Sequence, residues 1–191
     1  PNLSTIAEKK GDKYILNGTK QWISNAGRAD IYTIFAITDK TKGPRGISCF
    51  VLEKGMKGLS FGKLENKLGI RASHTRAIIM EDVEVPEENL VGMHPNHGFI
   101  HALKTLNASR PAVAGAGVGL AFGAFKEAAK YARERVQFGK SIINFQVVEH
   151  MLADMMVKID GARMLAYRAA RASSIGHEDM AKFSAIAKYY A

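Results

Sequence analysis

The chain has one cysteine and one tryptophan among its 191 residues. A lone Cys49 excludes an internal disulfide and a cysteine-built metal cluster. Its setting, Ile47-Ser48-Cys49-Phe50-Val51, makes it a small buried hydrophobe within a strand, and a reducing compartment fits. No apolar run reaches the ~20 residues that a membrane-spanning helix needs, and no charged-then-apolar leader opens the chain. Acidic residues are scarce: 18 Asp and Glu face 27 Lys and Arg, for a net charge of +9. That balance invites an acidic or phosphate-rich partner. The basic residues are scattered among Glu and Asp instead of forming one block, which disfavours a dedicated nucleic-acid arm. Cradling cofactor phosphates would suffice. Repeats and low-complexity tracts are also absent. What remains is ordinary globular composition, 47% hydrophobic and 24% charged, with enough chain for one domain or two small ones.

Two halves differ in period. Up to about Gly92 the pattern is antiparallel β. Lys13-Tyr14-Ile15-Leu16 and Thr19-Lys20-Gln21-Trp22-Ile23 flank Asn17-Gly18, a dipeptide suited to a tight hairpin turn. Ile31 to Thr38, Ile47 to Leu52, Leu59 to Leu64 and Arg76 to Val85 are further strands, bounded by Gly, Pro, Asp or Lys. A small antiparallel sandwich or barrel is expected over residues 1–92. After Val85-Pro86-Glu87-Glu88-Asn89 the period changes, and from about His97 it is helical. Val148, Leu152, Met155, Ile159, Ala162 and Ala166 step by four and three, a stripe for packing on another helix. Asp154 and Lys158 are spaced for an i,i+4 pair, and a third helix begins near Glu178. The fold class is therefore α+β by segregated halves, with antiparallel helices of a four-helix-bundle type over 93–191. The chain opens without Met and ends within the helical pattern Ala185–Ala191, so a larger enzyme is expected around it.

Several motifs carry less chemistry than they suggest. Gly115-Ala116-Gly117-Val118-Gly119 fails the G-x-G-x-x-G spacing, because Leu120 and Phe122 follow and no strand precedes; close helix packing explains it better. His97 and His101 have i,i+4 spacing and His94 lies nearby, but no second cluster supports a metal. Ser73-His74-Thr75 places a hydroxyl and an imidazole on opposite faces of a strand, so no hydrolase triad follows. Trp22 and Ser24 differ. Two apart on one strand, they would present an indole and a hydroxyl together, suited to a flat conjugated ring with a polar edge. A half-buried Trp capping a sheet explains the same residues. Arg135 and Lys140 could reach a ligand or merely cover helix-end carbonyls.

Taken in order, the segments resemble the acyl-CoA dehydrogenase family. Asn17-Gly18-Thr19-Lys20-Gln21-Trp22-Ile23-Ser24-Asn25 resembles its N-G-x-K-x-W-I-[ST]-N stretch. Lys63 to Thr75 resembles its K-x-x-K-x-G-x-R-x-S-x-T segment, in a version most like short-chain and short-branched-chain members. Glu81-Asp82-Val83-Glu84-Val85-Pro86, Asn107-Ala108-Ser109-Arg110, Glu134-Arg135-Val136-Gln137-Phe138-Gly139-Lys140 and Phe145-Gln146 follow in the family's order.

The resemblance implies a middle β domain plus the first part of a C-terminal helical domain. It implies FAD, with Trp22, Ile23 and Ser24 at the isoalloxazine and Arg135, Gln137, Phe138 and Gln146 reaching the FAD of a neighbouring subunit. Arg110 resembles a substrate-side arginine. The implied reaction is α,β-dehydrogenation of a short or short-branched acyl-CoA, with electron-transfer flavoprotein as acceptor, in a homotetramer or dimer of the cytoplasm or mitochondrial matrix. Some members place the catalytic carboxylate directly before the arginine matching Arg110. Here that position is Ser109, so no catalytic residue is assigned and the base is expected outside this chain. Asn107 replaces an acidic residue common there. A nucleic-acid-associated flavoprotein of the same superfamily and a related flavin oxidase stay open as alternatives.

Overall fold

The structure, a computed structural model, describes residues 3–191, which divide into two units, one ending at Ala102 and the other Leu103–Ala191. The first contains β1 (Ile6–Lys10), β2 (Lys13–Ser24), β3 (Ile31–Ile37), β4 (Ile47–Glu53), β5 (Leu59–Phe61) and β6 (Thr75–Pro86). They form one six-stranded sheet in the order β4-β3-β1-β2-β6-β5. Sheet first, helices after, is the order read from the sequence. Two details differ from the expected antiparallel sandwich or barrel. The end strands β4 and β5 do not pair with each other, so the sheet stays open, and β1 runs parallel to β3 at Ile6↔Ile37.

Asn17-Gly18 is a bulge, not a turn. The hairpin turn is Gly11-Asp12, closed by the Lys10↔Lys13 pair, with Gly11 at φ 64. β2 runs on through Asn17: Leu16 pairs with Val83 and Gly18 with Met80, leaving Asn17 opposite Glu81 and Asp82. The Asn17 amide donates to Asp82 Oδ1 at 2.9 Å and its carbonyl accepts from the Asp82 N–H at 2.8 Å. A side chain at Gly18 would meet the Thr5 backbone at 2.9 Å, which is why glycine stands there.

Alternation then builds the core. Tyr32, Ile34 and Ala36 of β3 are buried while Ile31 and Thr33 are exposed. Phe50, Leu16, Leu52, Ile78, Met80 and Leu90 are the largest fully buried side chains, and Phe50 stacks at a tilt on Tyr14, 4.9 Å between centroids. Cys49 is buried as expected, and burial pushes its thiol up to about 11.

The helices are α1 (Gly98–Glu134), α2 (Gln146–Ser174) and α3 (Met180–Tyr190). The stripe predicted along α2 is the packed one: Ile159, Ala162 and Ala166 are buried and Val148, Leu152 and Met155 half-buried. Ala114, Ala166, Ala169 and Ala187 form one cluster, and Val118, Ile159 and Ala162 another. Lys158 Nζ meets Asp154 at 2.6 Å. Close packing explains Gly117, where a Cβ would lie 3.0 Å from the Ala191 carbonyl oxygen; Gly115 and Gly119 face open space. Pro111 inside α1 has no N–H to donate to the Asn107 carbonyl.

Candidate functional site

In the β unit the site is built on a second bulge. Lys20 pairs with Ile78 and Ile23 with Arg76, so Gln21 and Trp22 together oppose Ala77. Trp22 takes φ 59, a conformation costing a bulky L residue of order 1–3 kcal/mol. Its indole is nevertheless 67% exposed. A strained backbone holding a large apolar ring in solvent does nothing for the fold by itself and suits ligand contact. The simple alternation that would set Trp22 and Ser24 on one face does not survive the bulge. A cavity of about 410 Å³ includes Ile23 and Ser24 in its wall but not Trp22.

The neighbouring strand end is polar and under-bonded. Ser24 pairs with Thr75, and the Asn25 N–H, at φ 61, donates to the His74 carbonyl at 2.7 Å. His74 Nδ1 and Arg76 Nε are buried without partners among the described residues. Lys20 also lines the cavity, and burial lowers its amine to about 8. Sequence reasoning read Lys20 only as part of a motif. Its pairing opposite the core residue Ile78 was the missing signal, and the bulge hides that register.

In the helical unit, α1 ends in a small ribbon of β7 (Val136–Gln137) and β8 (Lys140–Ser141). Gln137↔Lys140 closes a turn whose central residues, Phe138 and Gly139, have φ 49 and 80. Phe138 is thereby thrust out, 92% exposed, its ring meeting Phe145 edge-on at 6.3 Å. The carbonyls of Ala132 and Arg133 are covered by the Ser141 hydroxyl, at 2.7 and 2.8 Å, and not by Arg135 or Lys140. Lys140 instead donates to the Asn144 carbonyl at 3.0 Å. Arg135 and Gln137 are exposed, and Gln146 opens α2 directly after Phe145. The ribbon therefore gathers Arg135, Gln137, Phe138 and Gln146 locally. Arg110 lies apart on α1, its Nη1 donating to Asn107 Oδ1 at 2.7 Å, with no carboxylate paired to it among the described residues. The Ser109 hydroxyl bonds back to the Leu106 carbonyl at 3.1 Å.

The first unit thus carries a strained, exposed indole on a bulge, and the second carries a ring-tipped ribbon with the exposed Arg135 beside it. The acyl-CoA dehydrogenase middle-domain model matches residues 1–83 and the acyl-CoA dehydrogenase C-terminal-domain model matches residues 96–191. The chain belongs to the acyl-CoA dehydrogenase family. It is 50% identical over 172 residues to a short-chain-specific acyl-CoA dehydrogenase of Clostridium acetobutylicum, covering 90% of this chain and 45% of that protein. It is 46% identical over 189 residues to subunit CarC of the caffeyl-CoA reductase–Etf complex of Acetobacterium woodii, covering 99% and 49%. The butyryl-CoA dehydrogenase structure from Megasphaera elsdenii superposes with a TM-score of 0.94 at 44% identity, covering 98% of this chain and 49% of that one. The chain thus spans about half the length of the curated relatives it matches.

Proposed function

We propose that this chain is the middle β domain, residues 1–92, and helical residues 93–191 of an FAD-dependent dehydrogenase of short or short-branched acyl-CoA thioesters. The observation that carries the reading is the strained, solvent-facing Trp22 on a bulge flanked by Ser24. The residues present fit the cofactor. Trp22 offers an apolar face for the tricyclic ring, Ile23 and Ser24 continue the strand edge, and the unpartnered His74 Nδ1 and Arg76 Nε leave polar capacity beside them. FAD, when bound, supplies the two-electron acceptor for a hydride.

The chain's own residues position and shield. The Ser24 hydroxyl would donate toward a polar edge of the ring, and the Trp22 indole would shield it from water. Arg135, Gln137, Phe138 and Gln146, on an exposed ribbon and helix start, would reach the FAD of a neighbouring subunit around its pyrophosphate and adenosine. Arg110 holds the substrate side, its guanidinium already oriented by Asn107. Position 109 supplies no base: serine is not basic enough, and its hydroxyl is bonded to its own helix. Exposed Leu120, Val157 and Met164 on α1 and α2 support assembly into a dimer or homotetramer. The likeness to a subunit of an Etf complex supports electron-transfer flavoprotein as the acceptor. Among the described residues no helix is long and apolar enough to cross a membrane, and we place the protein in the cytoplasm or mitochondrial matrix.

The test uses protein of natural length carrying its flavin. Under anaerobic conditions butyryl-CoA and short branched acyl-CoAs bleach the flavin absorbance, and Trp22→Ala weakens flavin retention. A flavin left oxidised by every thioester of the panel overturns the reading.

A further inference from the structure

The end of the β unit holds a cation that the family reading does not use. Lys20 pairs across β2–β6 with Ile78, and directly opposed residues share a face, so its side chain leaves the sheet on the side of Ile78 and Met80. Both of those are core residues, at 0% and 2% exposure. The lysine lines the cavity of about 410 Å³ together with Ile23, Ser24, Asn25, Ile31 and Tyr32, and no acidic residue lines it. No hydrogen bond or ion pair to the Lys20 amine is present among the described residues. Tyr32 does not supply one, because its hydroxyl donates to the Ala29 carbonyl at 2.6 Å and accepts from the Gly27 N–H at 3.0 Å.

A half-buried ammonium with no counter-charge is costly, and natural proteins pair such groups. Burial alone brings this amine down to about 8. The cavity is also far larger than an amine and its water require, since a water's share of liquid volume is about 30 Å³. One cation with the Asn25 amide nearby matches a monoanion. A phosphate dianion would need more donors than this wall has, and the Ile23 and Ile31 flanks suit an apolar stem.

We propose that the Lys20 cavity is a carboxylate site, in which the ammonium meets the carboxylate of a group with a short apolar stem lying along Ile23 and Ile31. Two sources share this chemistry: an Asp or Glu side chain elsewhere in the natural-length protein, or a free short-chain carboxylic acid.

Trace acetic anhydride labelling of the natural-length protein, from about pH 6 to about pH 11 and read by peptide mass spectrometry, titrates each lysine separately. A parallel carbodiimide reaction joins Lys20 to any carboxylate in contact with it. If a side chain is the occupant, Lys20 labels only above about pH 10 and a zero-length cross-link maps to one Asp or Glu. If a free acid is the occupant, Lys20 labels from near pH 8 in plain buffer, and butyrate, but not butyramide, moves that midpoint up by about 1–3 units. An amine that labels like ordinary solvated lysine and gives no cross-link is merely hydrated, and one fixed near 8 in every solution has no anionic partner. Either result overturns the proposal. None of these readouts depends on flavin reduction, so they stand or fall apart from the dehydrogenase reading.

Discussion

The two units bury different kinds of residue. In the β unit the fully buried side chains are large: Phe50, Leu16, Leu52, Ile78, Met80 and Leu90. In the helical unit they are mostly small, with Ala114, Ala132, Ala166, Ala169, Ala172 and Ala187 inside and Ile159 the one large side chain under 5% exposure among the described residues, while Leu120, Met151, Val157, Met164 and Tyr167 face solvent. A sheet that packs its own large side chains against one another gathers a core within one unit. Helices that touch mainly through alanine approach closely but remove little apolar surface from water. At about 25 cal/mol per Å² of apolar area, each buried side chain of the β unit therefore contributes more than a buried alanine of the helical unit.

The largest test of that contrast is Phe50→Ala. Phe50 is 0% exposed and packs on Tyr14, so truncation should cost about 3–5 kcal/mol. Urea unfolding followed at the β-unit transition measures it. A loss under about 1 kcal/mol would mean that the sheet interior is loosely packed and the comparison breaks. The helical counterpart is enlargement. Ala169, 0% exposed between α2 and its neighbours, has no room for a leucine, and Ala169→Leu should destabilise by about 1–3 kcal/mol through forced separation of the helices. If the variant were neutral, the alanine contacts would be lax and not close-fitting.

A smaller effect comes from pH and belongs to the β unit alone. Lys20 is near 8 when folded and 10.5 when unfolded, so between those values the unfolded chain binds more protons and stability rises with pH. Cys49 works oppositely: its thiol, raised from 9.0 to about 11, gives stability that is present below pH 9 and lost as pH climbs toward 11. Of the two, Lys20 is the one that acts from pH 8 to 9. With no anion in the cavity, Lys20→Met should flatten that slope and raise stability at pH 7 by about 1 kcal/mol, discounted for the amine's partial exposure. Thermal melts at stepped pH measure both. A carboxylate seated on Lys20 reverses the sign of the substitution.

The same contrast governs how much was legible beforehand. The α2 stripe is readable because Val148, Leu152, Met155, Ile159, Ala162 and Ala166 keep one period without interruption, and the Asp154–Lys158 pair follows from spacing alone. Strands β3, β4 and β6 are readable because turn residues bound them. β1 was missed, since Ile6-Ala7-Glu8-Lys9-Lys10 carries too few β-branched or aromatic residues to stand out. Asn17-Gly18 misled because the same dipeptide serves a turn or a bulge, and only the Asp82 partner across the sheet decides. The bulge at Trp22 leaves no local signature, which is why the indole's exposure and the inward face of Lys20 needed the register. For the helical unit the sequence shows which residues are apolar but not which of them the single chain leaves uncovered.

One substitution made in both units sharpens this last point. Met80, 2% exposed, and Met164, 65% exposed, are chemically identical. Met80→Gln places an amide in the sheet interior without a partner and should cost at least about 2 kcal/mol. Met164→Gln moves an already solvated side chain to another solvated one and should stay within about 0.5 kcal/mol. Parallel urea titrations at a protein concentration low enough to hold both proteins monomeric give the two differences directly. If Met164→Gln lost as much as Met80→Gln, the exposed helix face would be an internal core after all, and the asymmetry between the units would vanish. If only Met80→Gln loses stability, the solvent-facing Met164 of α2 contributes nothing to the stability of the isolated chain, and burial alone separates the two methionines.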